Sequence, residues 1–225
     1  MNDTVCVIMA KQPQAGRAKT RLSPPLTLEQ ATVFYEALLQ DVITLVASQP
    51  GMELAMAISP PDARSFFNKI TPPDTFLLTT EGPDIGFCLS QVFHTFLGMG
   101  WRKVIALNAD SPSLPPAYLQ QSVKLLDEYD VVLGPALDGG YYLVGMQHPY
   151  LGIFQDILWS TDQVLTQTLE RATTLKLRVG LTPEWYDVDT ADDLMRLQKD
   201  LEGLPPDHLV HTRQFFVGFD KNAFE

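Results

Sequence analysis

Four cationic residues crowd the segment AKQPQAGRAKTRL at positions 10–22, although the whole chain carries a formal net charge of -11. They are Lys11, Arg17, Lys19 and Arg21. Pro13 and Gly16 bend the segment so that successive backbone N–H groups can turn inward, while the side chains supply positive charge for phosphate oxygens. Arginine binds such oxygens as a fork and lysine as a point charge. The pattern predicts a phosphate-binding loop, the alternative being a solvated run of charges.

Two familiar phosphate motifs are excluded by the spacing of this segment. A P-loop carries glycine immediately before its lysine, whereas Ala18 precedes Lys19. A dinucleotide-binding fingerprint needs three spaced glycines, and Gly16 stands alone. The chain is therefore neither an ordinary ATPase nor an ordinary dehydrogenase.

Carboxylates follow two later apolar runs. Asp110 comes just after KVIALNA, in the loop DSPSLPP, where it could also cap the following turn. Asp187 and Asp189 lie two residues apart in WYDVDTADDL and therefore on the same side of an extended segment. Thr190 and Asp193 account for part of this acidity, because they form a helix N-cap pair. Asp187 and Asp189 are left without a local structural role.

A further carboxylate, Asp138, lies in the turn LDGGYYLVG. Gly139 and Gly140 allow the backbone there to pass close to a bulky group. Carboxylates at loop ends together with a cationic loop suit a nucleotide and a divalent cation, because Mg²⁺ takes one or two protein carboxylates and fills its other positions with phosphate oxygens and water. The sequence therefore predicts a nucleotide site that uses Mg²⁺ or Mn²⁺.

Apolar runs alternate with helical patterns along the chain, which predicts a three-layer α/β/α fold with a mixed, mostly parallel sheet. Predicted strands cover 4–10, 52–58, 75–79, 103–109, 130–136, 141–146 and 176–181. Predicted helices cover 28–47, 62–68, 85–98, 116–128, 161–174 and 191–202. Capping boxes are expected at Thr27 with Gln30 and at Ser160 with Gln163. The strands 130–136 and 141–146 are joined by a turn too short for a crossover helix, so they should run antiparallel.

Composition limits the class of protein. With 225 residues, 45% hydrophobic and 19% charged, the chain should form one domain, with a core at about 4–203 and a C-terminal extension at 204–225. An isoelectric point near 4.7 argues against general nucleic-acid binding. No segment has the layout of a signal peptide or the length of a membrane span, and the two cysteines have no metal-ligand spacing, so we expect a cytoplasmic protein.

Taken together, these motifs resemble a small bacterial family of the nucleotide-diphospho-sugar transferase superfamily, which has the GT-A fold. The shared stretches are the cationic loop, x-x-D-x-P-x-L-P, D-G-G-Y-Y-L-x-G, W-S-T and W-Y-D-V-D-T-x-x-D-L, and they cover about residues 4–200. Family members are glycosyltransferase-like, and 2-phospholactate guanylyltransferase is a more distant relative. The chain departs from the family at 108–110, which has Asn-Ala-Asp in place of Gly-Thr-Asp, and at 83–89, where Phe87 and Cys88 replace Glu and Arg.

The resemblance implies a role for each motif. The nucleotide-binding set would be Ala10, Lys11, Gly16, Arg17, Lys19 and Arg21, with the four cations on the phosphates and Ala10 near the base. Asp110 and Asp189 would be metal ligands with Asp187 beside them, and Asp138, Gly139 and Gly140 would face the acceptor or sugar. Lys19, Asp110 and Asp138 are the predicted catalytic residues.

Three functions remain open at this stage. The first is glycosyl transfer from a nucleotide-diphospho-sugar to a small acceptor, and the second is nucleotidyl transfer from a nucleoside triphosphate to a phosphorylated small molecule with release of pyrophosphate. The third is a nucleotide-binding module without catalysis, suggested by the altered 83–89 segment. Aromatic residues near the motifs could stack on a ligand or belong to the core; they are Tyr141, Tyr142, Trp159 and Trp185. The apolar stretch FFVGF at 215–219 could bury internally or cover a homodimer contact.

Overall fold

Seven strands form a single sheet in the computed structural model, which describes residues 2–218. The strands are β1 (Thr4–Lys11), β2 (Met52–Ser59), β3 (Phe76–Thr79), β4 (Lys103–Asn108), β5 (Val131–Pro135), β6 (Tyr141–Met146) and β7 (Val179–Leu181). The helices are α1 (Leu28–Ala47), α2 (Arg64–Ile70), α3 (Ile85–Gly98), α4 (Pro116–Leu125), α5 (Val164–Thr174), α6 (Ala191–Gly203) and α7 (Val210–Val217). Strand order across the sheet is β3-β2-β1-β4-β6-β5-β7.

The sheet is mixed, as the sequence predicts. Strand β1 pairs in parallel with β2 and β4, and β5 pairs in parallel with β7. Strand β6 runs antiparallel to both β4 and β5, which confirms the tight turn between β5 and β6. The ends of β1, β4 and β5 and the start of β6 therefore meet at one edge of the sheet, where loops of an open α/β fold converge.

Apolar side chains cover both faces of the sheet and confirm the three-layer architecture. Successive residues of β1 alternate between the faces, so Val5 joins one core cluster and Cys6 the other. Helices α1, α2 and α4 pack on the Cys6 face, whereas α3 and α5 pack on the Val5 face. A smaller cluster joins α1 to α6. Both sides of the sheet are thus sealed, and its carboxyl edge is left for the loops.

Helix boundaries agree with the sequence at some ends and not at others. The capping box of Thr27 and Gln30 is present, with the Gln30 N–H donating to Thr27 Oγ1 at 3.1 Å. The predicted capping box at Ser160 and Gln163 is wrong: α5 begins at Val164, and Ser160 has φ 63° in a turn before the helix. The turn serves the cleft described below rather than the start of the helix.

The segment after Pro206 folds into a helix that the sequence pattern does not predict. Helix α7 docks on α1, where the buried carboxylate of Asp41 accepts N–H bonds from His211 at 3.1 Å and Thr212 at 2.8 Å. The aromatic rings of Phe215 and Phe216 pack against Phe34, so this part of FFVGF contributes to the interior; position 219 lies outside the described residues. Between residues 2 and 218, every helix is too short or too polar to cross a membrane.

Candidate functional site

A cleft of about 720 Å³ opens at the carboxyl edge of the sheet, across β1, β4 and β6. Its floor is apolar and comes from residues of these strands and of α3, including Met9, Ala106, Val144 and Leu89. Its rim carries most of the residues singled out by the sequence. These are Lys11, Arg17, Lys19, Arg21, Asp110, Asp138, Gly140, Asp187 and Asp189. Four segments that are remote in sequence therefore meet around one space.

Lys19 joins three of these segments through its ion pairs. Its Nζ lies 2.6 Å from Asp110 Oδ1 and 2.6 Å from Asp189 Oδ1. The Lys19 side chain is only 5% exposed, whereas the two carboxylates are 34% and 41% exposed. Burial opposes the charge on Lys19, but the two carboxylates outweigh it and raise the pKa of the ammonium group above its ordinary value. Lys19 therefore stays protonated and cross-links two acidic loops.

The backbone also fixes these loops against each other. Lys19 has φ 52° and precedes a short 3₁₀-helix at Thr20–Leu22, a left-handed conformation that is uncommon for a residue with a side chain. The Val188 N–H donates to the carbonyl oxygen of Asp110 at 2.9 Å, which places Asp189 next to the loop after β4. These contacts explain why the two carboxylates reach the same ammonium group.

Asp187 has a structural contact that the sequence analysis missed. Its Oδ1 accepts hydrogen bonds from Asn108 Nδ2 at 2.7 Å and from Ser111 Oγ at 2.6 Å. Burial and, next, the nearby charge of Asp110 raise the pKa of Asp187 to about 6. These partners lie 79 and 76 residues away along the chain, so they do not contradict the expectation that Asp187 has no local structural role. The long-range contact of Asp187 ties the segment before α6 to the loop after β4.

Three of the predicted site residues do not line the cleft. Ala10 is buried in β1, and Gly16 lies in the turn of the cationic loop with φ 75°. Gly139 has φ 86°, and a Cβ atom there would lie 2.2 Å from the carbonyl oxygen of Asp162. Gly139 thus has a structural reason to be glycine, because it lets the β5–β6 turn touch the loop before α5.

The loop before α5 forms a wall of the cleft that the sequence analysis only partly anticipated. Trp159 and Tyr141 line the cleft with their rings in edge contact, and Ser160, Thr161 and Asp162 continue the wall. Gly86, in the first turn of α3, makes room for the indole, since a Cβ there would lie 2.5 Å from the Trp159 ring. The motif W-S-T, followed by an acid, was the available signal for this wall.

The remaining aromatic candidates are less accessible or lie outside the cleft. Tyr142 lines the cleft, but its side chain is buried, with its hydroxyl 2.6 Å from Thr182 Oγ1. Trp185 lines a second, more apolar cavity of about 820 Å³ between α1, the loop before α4 and the start of α7. His208 and His211 also line that cavity. No histidine among the described residues lines the cleft.

The carboxylates around Lys19 are oxygen donors of the kind that bind divalent cations. Across residues 2–218, no group of three or more His, Cys, Asp or Glu side chains is arranged to hold a metal ion. Asp110 and Asp189 nevertheless converge on one cation, the Lys19 ammonium group. Two carboxylates suffice for Mg²⁺ or Mn²⁺ when phosphate oxygens and water complete the coordination. The residues fit a cation that arrives with a nucleotide.

Known structures share this fold. A protein from Desulfovibrio desulfuricans G20, described as a candidate nucleotide-diphospho-sugar transferase, aligns over 95% of both chains with a TM-score of 0.87 and 26% identity. A CMP:2-keto-3-deoxy-manno-octonic acid synthetase bound to CTP aligns over 89% of this chain and 98% of its own, with a TM-score of 0.58 and 14% identity. The inositol-1-phosphate CTP transferase from T. maritima aligns over 96% and 97%, with a TM-score of 0.55 and 16% identity.

The protein thus has the fold of the nucleotide-diphospho-sugar transferases, as the sequence motifs suggested. The chain belongs to DUF2064, a family described as an uncharacterized protein conserved in bacteria, whose model matches residues 42–161. A comparison with curated proteins finds no match.

Proposed function

We propose that the protein is a metal-dependent glycosyltransferase that uses a nucleotide-diphospho-sugar donor and a small acceptor. One observation carries this proposal: the Lys19, Asp110 and Asp189 side chains meet at the cleft, between a cationic loop and a wall with an exposed carboxylate and an indole. The first side suits a diphosphate and the second suits a sugar ring. Similarity to the D. desulfuricans protein supports the same choice of donor.

Each side of the cleft would have its own task. Lys11, Arg17, Lys19 and Arg21 would hold the diphosphate, and Asp110 and Asp189 would hold Mg²⁺ or Mn²⁺ with Asp187 positioning the loop between them. When bound, the cation supplies a Lewis acid that balances negative charge on the departing diphosphate. The cationic side chains would hold the same group from the other side, where charge develops.

Asp138 would work on the acceptor side. Its carboxylate is exposed at the cleft, and its Oδ1 accepts the Gly140 N–H at 2.9 Å, which fixes its direction. In this role Asp138 orients an acceptor hydroxyl and takes its proton as that oxygen bonds to the anomeric carbon of the donor sugar. The bond from that carbon to the diphosphate oxygen breaks at the same time, and the diphosphate leaves with the bonding electrons.

The carboxylates of Asp138 and Asp162, on the acceptor side of the cleft, favour an acceptor without phosphate. Within the described part of the chain, no Lys, Arg or His forms an ion pair with Asp138 or Asp162. A phosphorylated acceptor bound there would meet two uncompensated carboxylates, whereas sugar hydroxyls can donate hydrogen bonds to them. An indole such as Trp159 can also pack against the apolar face of a sugar ring.

Nucleotidyl transfer is the second candidate, and the cationic loop favours it. Four cations over residues 11–21 exceed what a diphosphate needs, and a triphosphate carries more charge for them to balance. Two neighbours of the fold are named for CTP-dependent reactions, although their low identity shows the fold alone. A nucleotide-binding module without catalysis is the third candidate, suggested by Phe87 of α3, which is 48% exposed and stands where the family resemblance leads us to expect a glutamate.

A thermal-shift panel tests the proposal most broadly. Nucleoside diphosphates, triphosphates and nucleotide-diphospho-sugars are added with and without Mg²⁺, because a ligand of the native state raises the melting temperature by mass action. We expect the largest shift from one nucleotide-diphospho-sugar with Mg²⁺, and release of its nucleoside diphosphate when an acceptor is present. Release of pyrophosphate from a triphosphate would replace the first candidate by the second. Absence of a shift with every nucleotide would contradict all three.

A further inference from the structure

The ammonium group of Lys19 and a divalent cation compete for the same two carboxylates. We propose that Lys19 is an exchangeable internal cation: it holds Asp110 and Asp189 together until a divalent cation takes its place, and its Nζ then binds the nucleotide phosphates. The proposal rests on the proposed function, because it takes Asp110 and Asp189 as the metal ligands. It adds that metal binding and the position of Lys19 are coupled.

The geometry places the Lys19 ammonium group in direct competition with a metal ion for the two carboxylates. Nζ lies 2.6 Å from one oxygen of each carboxylate, within direct ion-pair distance of both. Both carboxylates are about one third or more exposed on the cleft side, so a cation arriving from solvent reaches them without opening the core. Two cations sharing this pair would repel each other at short range. Binding of the metal therefore favours departure of the ammonium group.

Departure of Lys19 needs a new partner for its charge. The Lys19 side chain is only 5% exposed, and its ammonium group would be left without a partner if it lost both ion pairs and moved into apolar surroundings, which is unfavourable. Phosphate oxygens of a nucleotide in the same cleft offer the missing partner. Metal and nucleotide should consequently bind cooperatively. The metal releases Lys19 from the two carboxylates, and the nucleotide phosphates give the ammonium group new partners, so each ligand should bind weakly when alone.

The loop that carries Lys19 is held locally, so the side chain can move without breaking the sheet. The backbone N–H groups of Arg17 and Ala18 both donate to the Gln14 carbonyl oxygen, at 3.0 and 3.3 Å. The carbonyl oxygen of Lys19 accepts the Leu22 N–H at 3.0 Å, within the following 3₁₀ turn. The strong long-range contacts of Lys19 are those of its side chain to the two carboxylates.

The first experiment measures Mn²⁺ affinity without nucleotide, by electron paramagnetic resonance of free Mn²⁺. Lys19→Met removes the internal competitor and should bind Mn²⁺ at least about tenfold more tightly than the unmodified protein, within the range of ordinary coupling between sites. Lys11→Met is the matched control, since it removes one positive charge from the same cleft but touches neither carboxylate; we expect it to change the affinity by less than about threefold. Equal or weaker Mn²⁺ binding by Lys19→Met would overturn the exchange.

A second measurement uses the unmodified protein and does not depend on the folding of a variant. Acetylation of lysines by acetic anhydride is mapped by mass spectrometry, with and without Mn²⁺ at a concentration where binding has been measured. Lys19 should be protected without metal and become several-fold more reactive with it, while Lys11 changes little. Protection of Lys19 that persists with the metal bound would show that the two cations coexist and would overturn the proposal.

The outcomes separate this inference from the proposed function. If nucleotide binds but Mn²⁺ never competes with Lys19, the exchange is wrong and nucleotide binding stands. If Lys19→Met gains Mn²⁺ affinity and no nucleotide binds to any form of the protein, the competition between Lys19 and the metal stands, whereas the transfer of Lys19 to phosphate and the proposed function are wrong.

Discussion

Two buried lysines lie at opposite edges of the same sheet, and their surroundings differ. Lys103 begins β4 at the amino edge, with Nζ 2.6 Å from Asp127 Oδ1 and 2.9 Å from the carbonyl oxygen of Val123. Val123 lies in the last turn of α4, where the helix dipole favours a cation. Lys19 at the carboxyl edge pairs with two carboxylates from two remote segments.

The difference separates a lysine whose charge is satisfied locally from one whose partners face a cleft. Both partners of Lys103 come from residues 123–127, so one local unit satisfies the charge, and Asp127 is 63% exposed to solvent. The partners of Lys19 face a cleft that already contains further acids and bases. Burial of a lysine is therefore weak grounds for function by itself. A surplus of carboxylates open to a cleft is the informative feature.

The largest effect is expected at the carboxylates of the carboxyl edge. Asp110→Asn removes a charged oxygen donor from the cation position and should weaken binding of a Mg²⁺–nucleotide by about a hundredfold or more, or roughly 3 kcal/mol. Isothermal titration calorimetry measures this change. Asp127→Asn removes a carboxylate from the amino edge and serves as the control, with an affinity within about twofold of the unmodified protein. Equal losses in both variants would mean that general charge, and not the cleft, governs binding.

The next comparison is between the two lysines themselves. Lys19→Met leaves two carboxylates facing each other and should lower the free energy of unfolding by about 2 kcal/mol, a reduced cost because both carboxylates are partly solvated. Lys103→Met leaves a mostly solvated Asp127 and should cost about 1 kcal/mol. Urea denaturation measures both values.

Magnesium should affect the stability of the two lysine variants differently. Millimolar Mg²⁺ should restore part of the stability of Lys19→Met, because the cation replaces the missing ammonium group, and it should not affect Lys103→Met. If Mg²⁺ stabilises both variants alike, the carboxyl edge has no special affinity for the cation.

Asp187 gives a pH-dependent prediction of smaller size. Its pKa of about 6 in the folded protein lies above the value near 4 expected in the unfolded chain, so the folded state binds the extra proton between these values and stability falls as pH rises from about 4 to about 6. Asp187→Asn removes the ionisation while its Oδ1 can still accept from Asn108 and Ser111. The variant should be more stable than the unmodified protein by roughly 1–2 kcal/mol at pH 7 and by about nothing at pH 4. Denaturation curves across pH 4–7 measure the difference, and a constant gap over this range would contradict the raised pKa.

The smallest effect is expected from an exposed cation at the rim. Lys11→Met should weaken nucleotide binding about threefold at 0.1 M salt and less at higher salt, because an exposed charge acts through a screened field. Affinities measured at several salt concentrations provide the check. A salt-independent loss above tenfold would place Lys11 in direct, desolvated contact with the ligand.

The elements that depend on local pattern could be predicted from the sequence, and those that depend on distant contacts could not. Thr27 and Gln30 start α1 as expected, since a capping box lies within four residues. Helix α7 was missed because its position is set by Asp41, about 170 residues away, and by aromatic packing on α1. The helix start predicted at Ser160 is wrong because Ser160 lies in a turn before α5, where Asp162 packs closely against Gly139 of the distant β5–β6 turn.

The same distinction applies to the site. Residue types and strand ends were enough to predict that Lys19, Asp110 and Asp189 lie at one edge of the sheet. The pairing of Lys19 with both carboxylates could not be predicted, because it requires the left-handed turn at Lys19 and the backbone bond from Val188 to Asp110. The hydrogen bonds to Asp187 likewise exist only after β4 and the segment before α6 are packed together.

The most direct test of the central claim is to locate a cation in crystals grown with Mn²⁺ and a nucleoside diphosphate, using the anomalous scattering of manganese. We expect one Mn²⁺ within coordination distance of Asp110 and Asp189, with the diphosphate between it and the side chains of Lys19 and Arg17. A cation bound to the nucleotide elsewhere, with Lys19 still paired to both carboxylates, would contradict the account.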